Sequence, residues 1–413
     1  MASICFYFQV HQPYRLRRYQ IFDIGKNNNY FDEQKNFQIL KKVADKCYLP
    51  TNRLMHSLIE KYDGKFKISY SISGVAIEQF QEYCPEVLES FMDLVDTGCV
   101  ELLNETYHHS LAWLHSKEEF KRQIMLHKNL MKSLFNFTPT IFRNTELIFN
   151  NEIAKFIQEL GYEGIVAEGA DQILGWRSPN FVYTPKTANK IKLLLKNYKL
   201  SDDVAFRFSN KTWSEWPLTT GKFVSWLKAV NGDTINLFMD YETFGEHQWR
   251  DTGIFNFLRH LPEDVFKAGI EFKTPTETLR ANSPVAELDM HHLTSWADTE
   301  RDLSAWIGNK MQDAALKELY KVESSILKAN NPELLNQWRR LQTSDHFYYM
   351  CTKWFSDGDV HKYFNPYDSP YDSFIAFMNV LQDLNFRINS NSNNLNFNKK
   401  ELKEEKADLS YIN

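Results

Sequence analysis

The segment TIFRNTELIFNNEI, residues 140 to 153, places Arg143 and Glu146 directly after a run of apolar residues. A carboxylate attacks as a nucleophile only while it is ionised, and a neighbouring guanidinium favours the ionised form. Glu146 could also mark the start of a helix, where a negative side chain interacts well with the helix dipole. The two interpretations are compatible, because one glutamate can serve both purposes.

A second group of acids lies in LFMDYETFGEHQW, residues 237 to 249. Asp240 ends the apolar run and Glu242 follows two positions later, so both side chains would face the same way if the strand continued. Like charges held close together raise the pKa of one carboxyl, which keeps it protonated and able to act as a general acid. We expect His247 and Trp249 to shape the adjoining cleft.

The segment GCVELLNETYHHSLAWL, residues 98 to 114, contains Glu101, Glu105, His108 and His109. These residue types could bind a metal ion, contact a hydroxyl-rich substrate, or serve as structural polar groups. Their spacing matches no recognised ligand pattern such as H-E-x-x-H, so a substrate contact is favoured over a metal. We therefore predict neither a metal ion nor a cofactor.

The composition limits the classes of function. The formal net charge of -5 argues against binding to nucleic acid or to an anionic membrane. Aromatic residues reach 15%, which fits either a bulky core or a cleft for sugar rings. Five scattered cysteines form no Cys-x-x-Cys pair, and the first apolar run is too short for a signal peptide or a membrane span. We expect a cytoplasmic protein of unspecified oligomeric state.

Short apolar segments alternate with helix-like segments along the first part of the chain. Six apolar segments end in polar residues: ICFYFQV, FKISYSIS, CVELLN, TPTIFRNT, EGIVA and TINLFM. A seventh strand is expected within residues 191 to 208. Alternation of this kind predicts a parallel α/β sheet or barrel, in which the loops after the strands meet at one end. No phosphate-binding glycine motif is present, which disfavours a nucleotide-binding sheet.

The chain becomes helical in character from about residue 302. Met311, Ala315 and Leu319 recur at helical spacing, and Asn331 before Pro332 predicts a new helix start. The sequence predicts a helical bundle that extends to about residue 384. Asp345 lies on the apolar face of the later helix, and either bonds within the core, which we favour, or reaches the cleft.

Two carboxylates at different strand ends, Glu146 and Asp240, meet the main requirement of a glycosidase, since one can attack while the other donates a proton. Aromatic residues and the absence of nucleotide or metal motifs agree with this hypothesis. His11 in HQP also follows a predicted strand, where it could be structural or functional.

At this point the chain resembles glycoside hydrolase family 57, and most of all its α-amylase branch. Five ordered motifs carry the resemblance: HQP at 11–13, GCVELLNETYHH at 98–109, FRNTELIFNN at 142–151, MDYETFGEHQW at 239–249 and LTSWADTERDLSAWIGNKMQ at 293–312. The resemblance implies an incomplete (β/α)7 barrel followed by a C-terminal helical domain. We expect the barrel at 1–290, a helical domain that completes the cleft at 291–387, and a polar, mobile tail at 388–413.

The resemblance also implies roles for individual residues. Glu146 would be the nucleophile and Asp240 the acid/base of a retaining mechanism on α-1,4-glucan in starch, glycogen or maltooligosaccharides. The remaining candidates for substrate binding are His11, Glu101, His108, His109, Arg143, Trp176, Glu242, His247, Trp249, Trp296, Asp298 and Trp306. The alternatives are a 4-α-glucanotransferase or branching enzyme, a metal-dependent polysaccharide deacetylase, and a glucan-binding protein without catalytic activity.

Overall fold

A computed structural model describes residues 2–297, 299–353 and 365–408, with the backbone alone over 391–408. The strands are β1 Ser3–Val10, β2 Ile68–Ile72, β3 Val100–Leu102, β4 Ile141–Arg143, β5 Gly164–Glu168, β6 Thr184–Pro185, β7 Lys192–Lys196, β8 Thr234–Asp240 and β9 Glu287–Leu288. The helices of the first part are α1 Glu33–Val43, α2 Leu49–Lys61, α3 Gly74–Tyr83, α4 Pro85–Asp96, α5 Lys117–Phe135, α6 Asn151–Glu159, α7 Asp171–Leu174, α8 Tyr198–Ala205, α9 Thr220–Ala229, α10 Ile254–Lys267 and α11 Pro275–Ala281. The later helices are α12 Ser304–Ile307, α13 Lys310–Lys321, α14 Glu323–Ala329, α15 Pro332–Arg340, α16 Ser344–Tyr348 and α17 Pro370–Asp408.

Seven parallel strands form a barrel. One sheet has the order β3-β2-β1-β8 and the other the order β4-β5-β7. Asn104 joins them on one side, because its amide donates to Ile141 and its carbonyl accepts from Arg143 at 2.9 and 2.8 Å. On the other side the Asn197 amide donates to the Asn236 carbonyl at 2.9 Å. The predicted (β/α)7 architecture is confirmed, and β7 is the strand that was expected within residues 191 to 208.

Strand alternation decides which side chains enter the barrel. Residues from five of the strands, among them Tyr7 and Phe238, pack together in its interior. Their neighbours Leu237 and Met239 face outward against the surrounding helices. Since side chains two apart on a strand share a face, Asp240 lies on the same face as Phe238, at the carboxyl end of β8.

The C-terminal helices share a core with one side of the barrel. Trp306 and Trp338 from these helices are fully buried in the same apolar cluster as Phe142 of β4. The predicted helix start is confirmed, since the Asn331 side chain accepts from the amides of the first turn of α15. The Ser344 amide at the start of α16 donates to the His109 carbonyl at 2.9 Å, which brings this region against the end of the barrel where the strands finish.

Helix α17 crosses the expected boundary between residues 387 and 388, because its backbone is helical from Pro370 to Asp408. Ile388, at the start of the expected tail, is fully buried. The domain limits and the mobility of the tail stay predictions, and residues 409–413 lie outside the described part of the chain. Across the described ranges, no helix is both long and apolar enough to cross a membrane.

Candidate active site

Glu146 lies on a strained turn directly after β4. Its backbone has φ 57° and ψ 27°, and Leu147 follows with φ 51°. For residues other than glycine this left-handed conformation costs on the order of 1–3 kcal/mol each, and it persists only where the surroundings enforce it. Here Phe149 and Thr294 exchange two backbone hydrogen bonds of 3.0 Å, and the Trp296 amide donates to the Glu146 carbonyl at 3.2 Å. The segment after β9 therefore holds the turn in place.

Three donors surround the Glu146 carboxylate. Trp296 donates its indole N–H to Oε2 at 2.7 Å, while His109 Nε2 and Ser344 Oγ approach Oε1 at 3.2 and 3.4 Å. The fully buried guanidinium of Arg143 lies 5.2 Å from the centre of the Trp296 ring. Hydrogen bonds to a carboxylate favour its charged form, so this environment suits a nucleophile.

His109 connects Glu146 to a second buried carboxylate. Its Nδ1 lies 2.7 Å from Oε2 of Glu105, and the other oxygen of that carboxylate, Oε1, accepts from the Gln9 amide at 3.0 Å. Burial alone would lower the pKa of His109, but the two glutamates raise it to about 9. Burial likewise opposes ionisation of Glu105, yet His109 and Arg143 lower its pKa to about 2. At neutral pH a charged imidazolium therefore donates to two carboxylates.

His11 stacks on His109 in the opposite protonation state. The ring centres are 4.0 Å apart with 19° between the planes. Burial first, and then the charge of His109, lowers the pKa of His11 to about 4, so its ring is neutral. Its Nε2 lies 2.9 Å from Asp345 and its Nδ1 lies 2.7 Å from the Ser73 hydroxyl. A neutral ring fits both contacts when Nε2–H donates to Asp345 and Nδ1 accepts from Ser73.

The acids after β8 occupy a different environment. The strand ends at Asp240, and residues 241–243 form a 3₁₀ turn, so Asp240 and Glu242 do not share a face as the extended strand would require. Glu242 is buried and accepts from the Tyr48 hydroxyl and, at 3.4 Å, from the Gln12 amide. Burial first, and then the charge of Asp240, raises the pKa of Glu242 to about 8. Glu242 is therefore protonated at neutral pH.

Two buried cations also contact Trp296. Arg301 donates to the Trp296 carbonyl at 2.6 Å, and the Lys196 ammonium lies 5.3 Å from the centre of the indole. Both cations approach the buried acids Glu168 and Asp202, with Lys196 at 3.0 Å from Asp202. Burial, partly offset by these cations, raises the pKa of Glu168 to about 7.

Three predicted site residues lie away from these carboxylates. Glu101 instead accepts from the amide and the hydroxyl of Thr276 at the start of α11. His108 is buried towards the arginines of α15, and burial followed by their charges holds its pKa well below the ordinary value. Trp306 packs within the helical core, 6.2 Å from the ring of Tyr348.

Three further predicted residues lie on loops. Trp176 is 93% exposed, and Trp249 is 53% exposed. His247 is half-buried in the loop after β8, where its amide donates to the Glu242 carbonyl at 2.9 Å. Asp298 lies outside the described residues.

The prediction did not include Glu105, Ser344 or Asp345 among the site residues. Glu105 stands four residues before His109 in the same motif, and this spacing was a usable signal. Asp345 was an acid on an apolar face, which indicates a buried partner, and that partner is His11. Ser344 carries no sequence signal of this kind.

Comparison with known proteins identifies the family that the chain matches. Residues 5–291 match the sequence profile of glycosyl hydrolase family 57. A Methanocaldococcus jannaschii protein with the provisional name alpha-amylase is 46% identical over 402 residues, which cover 93% of this chain and 84% of the relative.

Two solved structures share the fold. A 4-alpha-glucanotransferase from Thermococcus litoralis superposes with a TM-score of 0.64 at 15% identity, over 84% of this chain and 56% of that chain. A family 57 branching enzyme from Thermococcus kodakaraensis gives a TM-score of 0.64 at 14% identity, over 84% of this chain and 86% of that chain. At these identities the likeness concerns the fold alone.

Proposed function

This chain belongs to glycosyl hydrolase family 57, and on that premise we propose that it is a retaining α-glucan hydrolase that cleaves α-1,4-glucosidic bonds. The observation that carries the proposal is the environment of Glu146, a carboxylate that receives three donors on a backbone the fold holds under strain. The name of the Methanocaldococcus jannaschii relative supports an α-amylase.

In the proposed first step Glu146 attacks the anomeric carbon of the glucosyl unit, and Asp240, which must first take up a proton, donates that proton to the glycosidic oxygen as the bond breaks. A covalent glucosyl ester of Glu146 results. In the second step Asp240 takes a proton from water, which attacks the same carbon and releases Glu146 as a carboxylate. The charged His109 and the indole of Trp296 stabilise that departing carboxylate.

Product analysis tests the reaction class. Starch, glycogen and maltooligosaccharides are incubated with the protein and with Glu146→Gln as the control. New reducing ends that require Glu146 support hydrolysis. A redistributed maltooligosaccharide ladder without new ends would identify a 4-α-glucanotransferase, and new α-1,6 linkages a branching enzyme, the activities that the two structural relatives carry in their names.

The anomeric form of the first product tests retention. A retaining enzyme releases the α-anomer, which proton NMR detects before mutarotation. Release of the β-anomer would show inversion, and Glu146 would then not be a nucleophile.

The rival metal-dependent deacetylase needs histidines that are free to bind a metal. Both ring nitrogens of His109 contact carboxylates, and those of His11 contact Ser73 and Asp345. Within the described residues, no group of three or more His, Cys, Asp or Glu side chains is arranged to hold a metal ion. Acetate release from an acetylated polysaccharide that a chelator abolishes would favour the deacetylase instead. Sugar products that form without either Glu146 or Asp240 would also contradict the proposed glycosidase.

Binding without turnover is the non-enzymatic alternative. Glu146→Gln and Asp240→Asn would then leave glucan retention on an affinity gel unchanged, and the unsubstituted protein would release no sugar. A cytoplasmic location forms part of the proposal, and the four buried cysteines with free thiols, Cys5, Cys47, Cys84 and Cys99, support it.

A further inference from the structure

A second cleft, of about 960 Å³, lies between α2, α10 and the loop after β8. Four cationic residues line it: Lys46, Arg53, Arg250 and Arg259. Two acids also line it, Asp45 and Asp251, and Asp45 pairs with Lys41 at 2.9 Å. The cleft therefore has an excess of positive side chains in a chain whose net charge is -5.

The arginines in this cleft are available to a ligand. All three are exposed, and none forms a side-chain hydrogen bond or an ion pair with the part of the chain that the structure describes. Elsewhere the exposed arginines commonly have partners, as Arg280 does with Glu163 at 3.0 Å. Several guanidinium groups without carboxylate partners along one cleft suit the recognition of a phosphate, because each can donate two parallel hydrogen bonds.

An aromatic face accompanies these charges. Trp249 is 53% exposed on the cleft, and the Lys46 ammonium lies 5.3 Å from its ring centre. An exposed indole offers a flat surface on which a sugar or a base can stack. We propose that this cleft binds a ring that carries a phosphate ester, with the ring against Trp249 and the phosphate among the arginines.

The cleft touches the loop that carries Glu242. Residues 44–48 between α1 and α2 form a π-helical turn. In this turn Cys47 donates to the Tyr241 carbonyl at 3.3 Å, and Tyr48 donates to Glu242. The Lys46 carbonyl packs so closely on Gly245 that a Cβ there would lie 2.0 Å from its oxygen. The proposed site therefore includes part of the loop after β8 but contains neither Glu146 nor the residues that donate to its carboxylate.

Isothermal titration calorimetry on the full chain tests the site. Glucose 6-phosphate and adenosine monophosphate are the probes, inorganic phosphate tests the anion alone, and glucose is the uncharged control. We expect at least one ester to bind, and the double variant Arg53→Gln/Arg259→Gln to weaken its Kd by about tenfold or more. The tighter ester identifies the ring as a sugar or a nucleoside.

Matched variants separate this site from the carboxylate site. Arg280→Gln removes an exposed arginine on another surface and should leave the Kd of the ester unchanged. Trp249→Ala should weaken the binding of the ester and leave the binding of inorganic phosphate unchanged. Thermal unfolding verifies that each variant is folded. The proposal is overturned if neither ester binds, if the double arginine variant binds the ester as well as the unsubstituted protein, or if glucose binds as tightly as its phosphate.

Discussion

Glu146 and Glu242 are both buried glutamates that follow barrel strands, yet their surroundings have opposite effects. Glu146 receives an indole, an imidazolium and a hydroxyl, whereas Glu242 receives a phenol and a distant amide beside the acid Asp240. Burial is common to the two positions, so burial does not by itself determine charge. The donors and neighbouring charges matter as well, because the three donors at Glu146 favour the charged form of a carboxylate, whereas the charge of Asp240 adds to the effect of burial in raising the pKa of Glu242 to about 8.

Among the substitutions that test this contrast, Glu146→Gln should cause the largest loss of activity. The amide is similar in size but cannot form the glucosyl ester, so we expect kcat on maltooligosaccharides to fall by about 10⁴-fold or more. Steady-state kinetics measure the loss, and near-UV circular dichroism verifies folding. A loss below about tenfold would remove Glu146 from the nucleophile role.

Asp240→Asn should lower kcat on glucans by about 10³-fold, because the leaving sugar is no longer protonated. When the substrate is an aryl α-glucoside with an acidic phenol, the leaving phenolate needs little protonation. Formation of the glucosyl ester should therefore stay fast in this variant, while hydrolysis of the ester should slow. Stopped-flow release of the phenol should then show a burst. Equal losses on both substrates, without a burst, would contradict the acid/base assignment.

His109→Gln should lower kcat by about 10²-fold, since the variant removes the charged donor between Glu105 and Glu146. His108→Gln is the matched control, because His108 is equally buried but points towards α15. Kinetics for both variants at about pH 7 make the comparison. If the two variants lose kcat equally, the contacts of His109 with Glu105 and Glu146 do not contribute to catalysis.

Glu242→Gln should change how stability depends on pH. The pKa of Glu242 rises from 4.5 to about 8 on folding, so between these values the folded protein keeps a proton that the unfolded chain has released. This contribution to the free energy of unfolding is complete below about pH 4.5 and is lost as the pH rises through about 8. In urea unfolding at about pH 5, 6.5 and 8, the free energy of unfolding should fall less with rising pH for the variant than for the unsubstituted protein.

Glu89→Gln, an exposed substitution, is the control for that titration. Parallel pH profiles for Glu242→Gln and the unsubstituted protein would show that Glu242 is not the titrating group.

Glu101→Gln should have the smallest effect on catalysis, with kcat changed by less than about threefold. Its carboxylate bonds to Thr276 and not to the other acids, so the cost should appear in stability, at about 1–3 kcal/mol. Kinetics and urea unfolding separate the two effects. A large loss of kcat at full stability would return Glu101 to the substrate-binding residues.

The barrel was predictable because periodicity and strand ends are local signals. Six apolar segments mark six of its strands, and the seventh strand was expected within residues 191 to 208, where β7 lies. The site was only partly predictable. The motif at 98–109 contains two glutamates and two histidines, and nothing local indicates that Glu105 and His109 face the site while Glu101 and His108 do not. A three-residue strand followed by a loop leaves side-chain direction to tertiary contacts.

By itself the sequence determined six of the seven strands, the order of the motifs, and the placement of Glu146 and Asp240 near the ends of two different strands. Tertiary structure alone decided the protonation states. The contact between His11 and Asp345 joins residues 334 positions apart, and the charge of Glu242 depends on Tyr48 and Asp240. Such contacts cannot be read from residue types, because a pKa responds to distances and burial that only the folded chain defines.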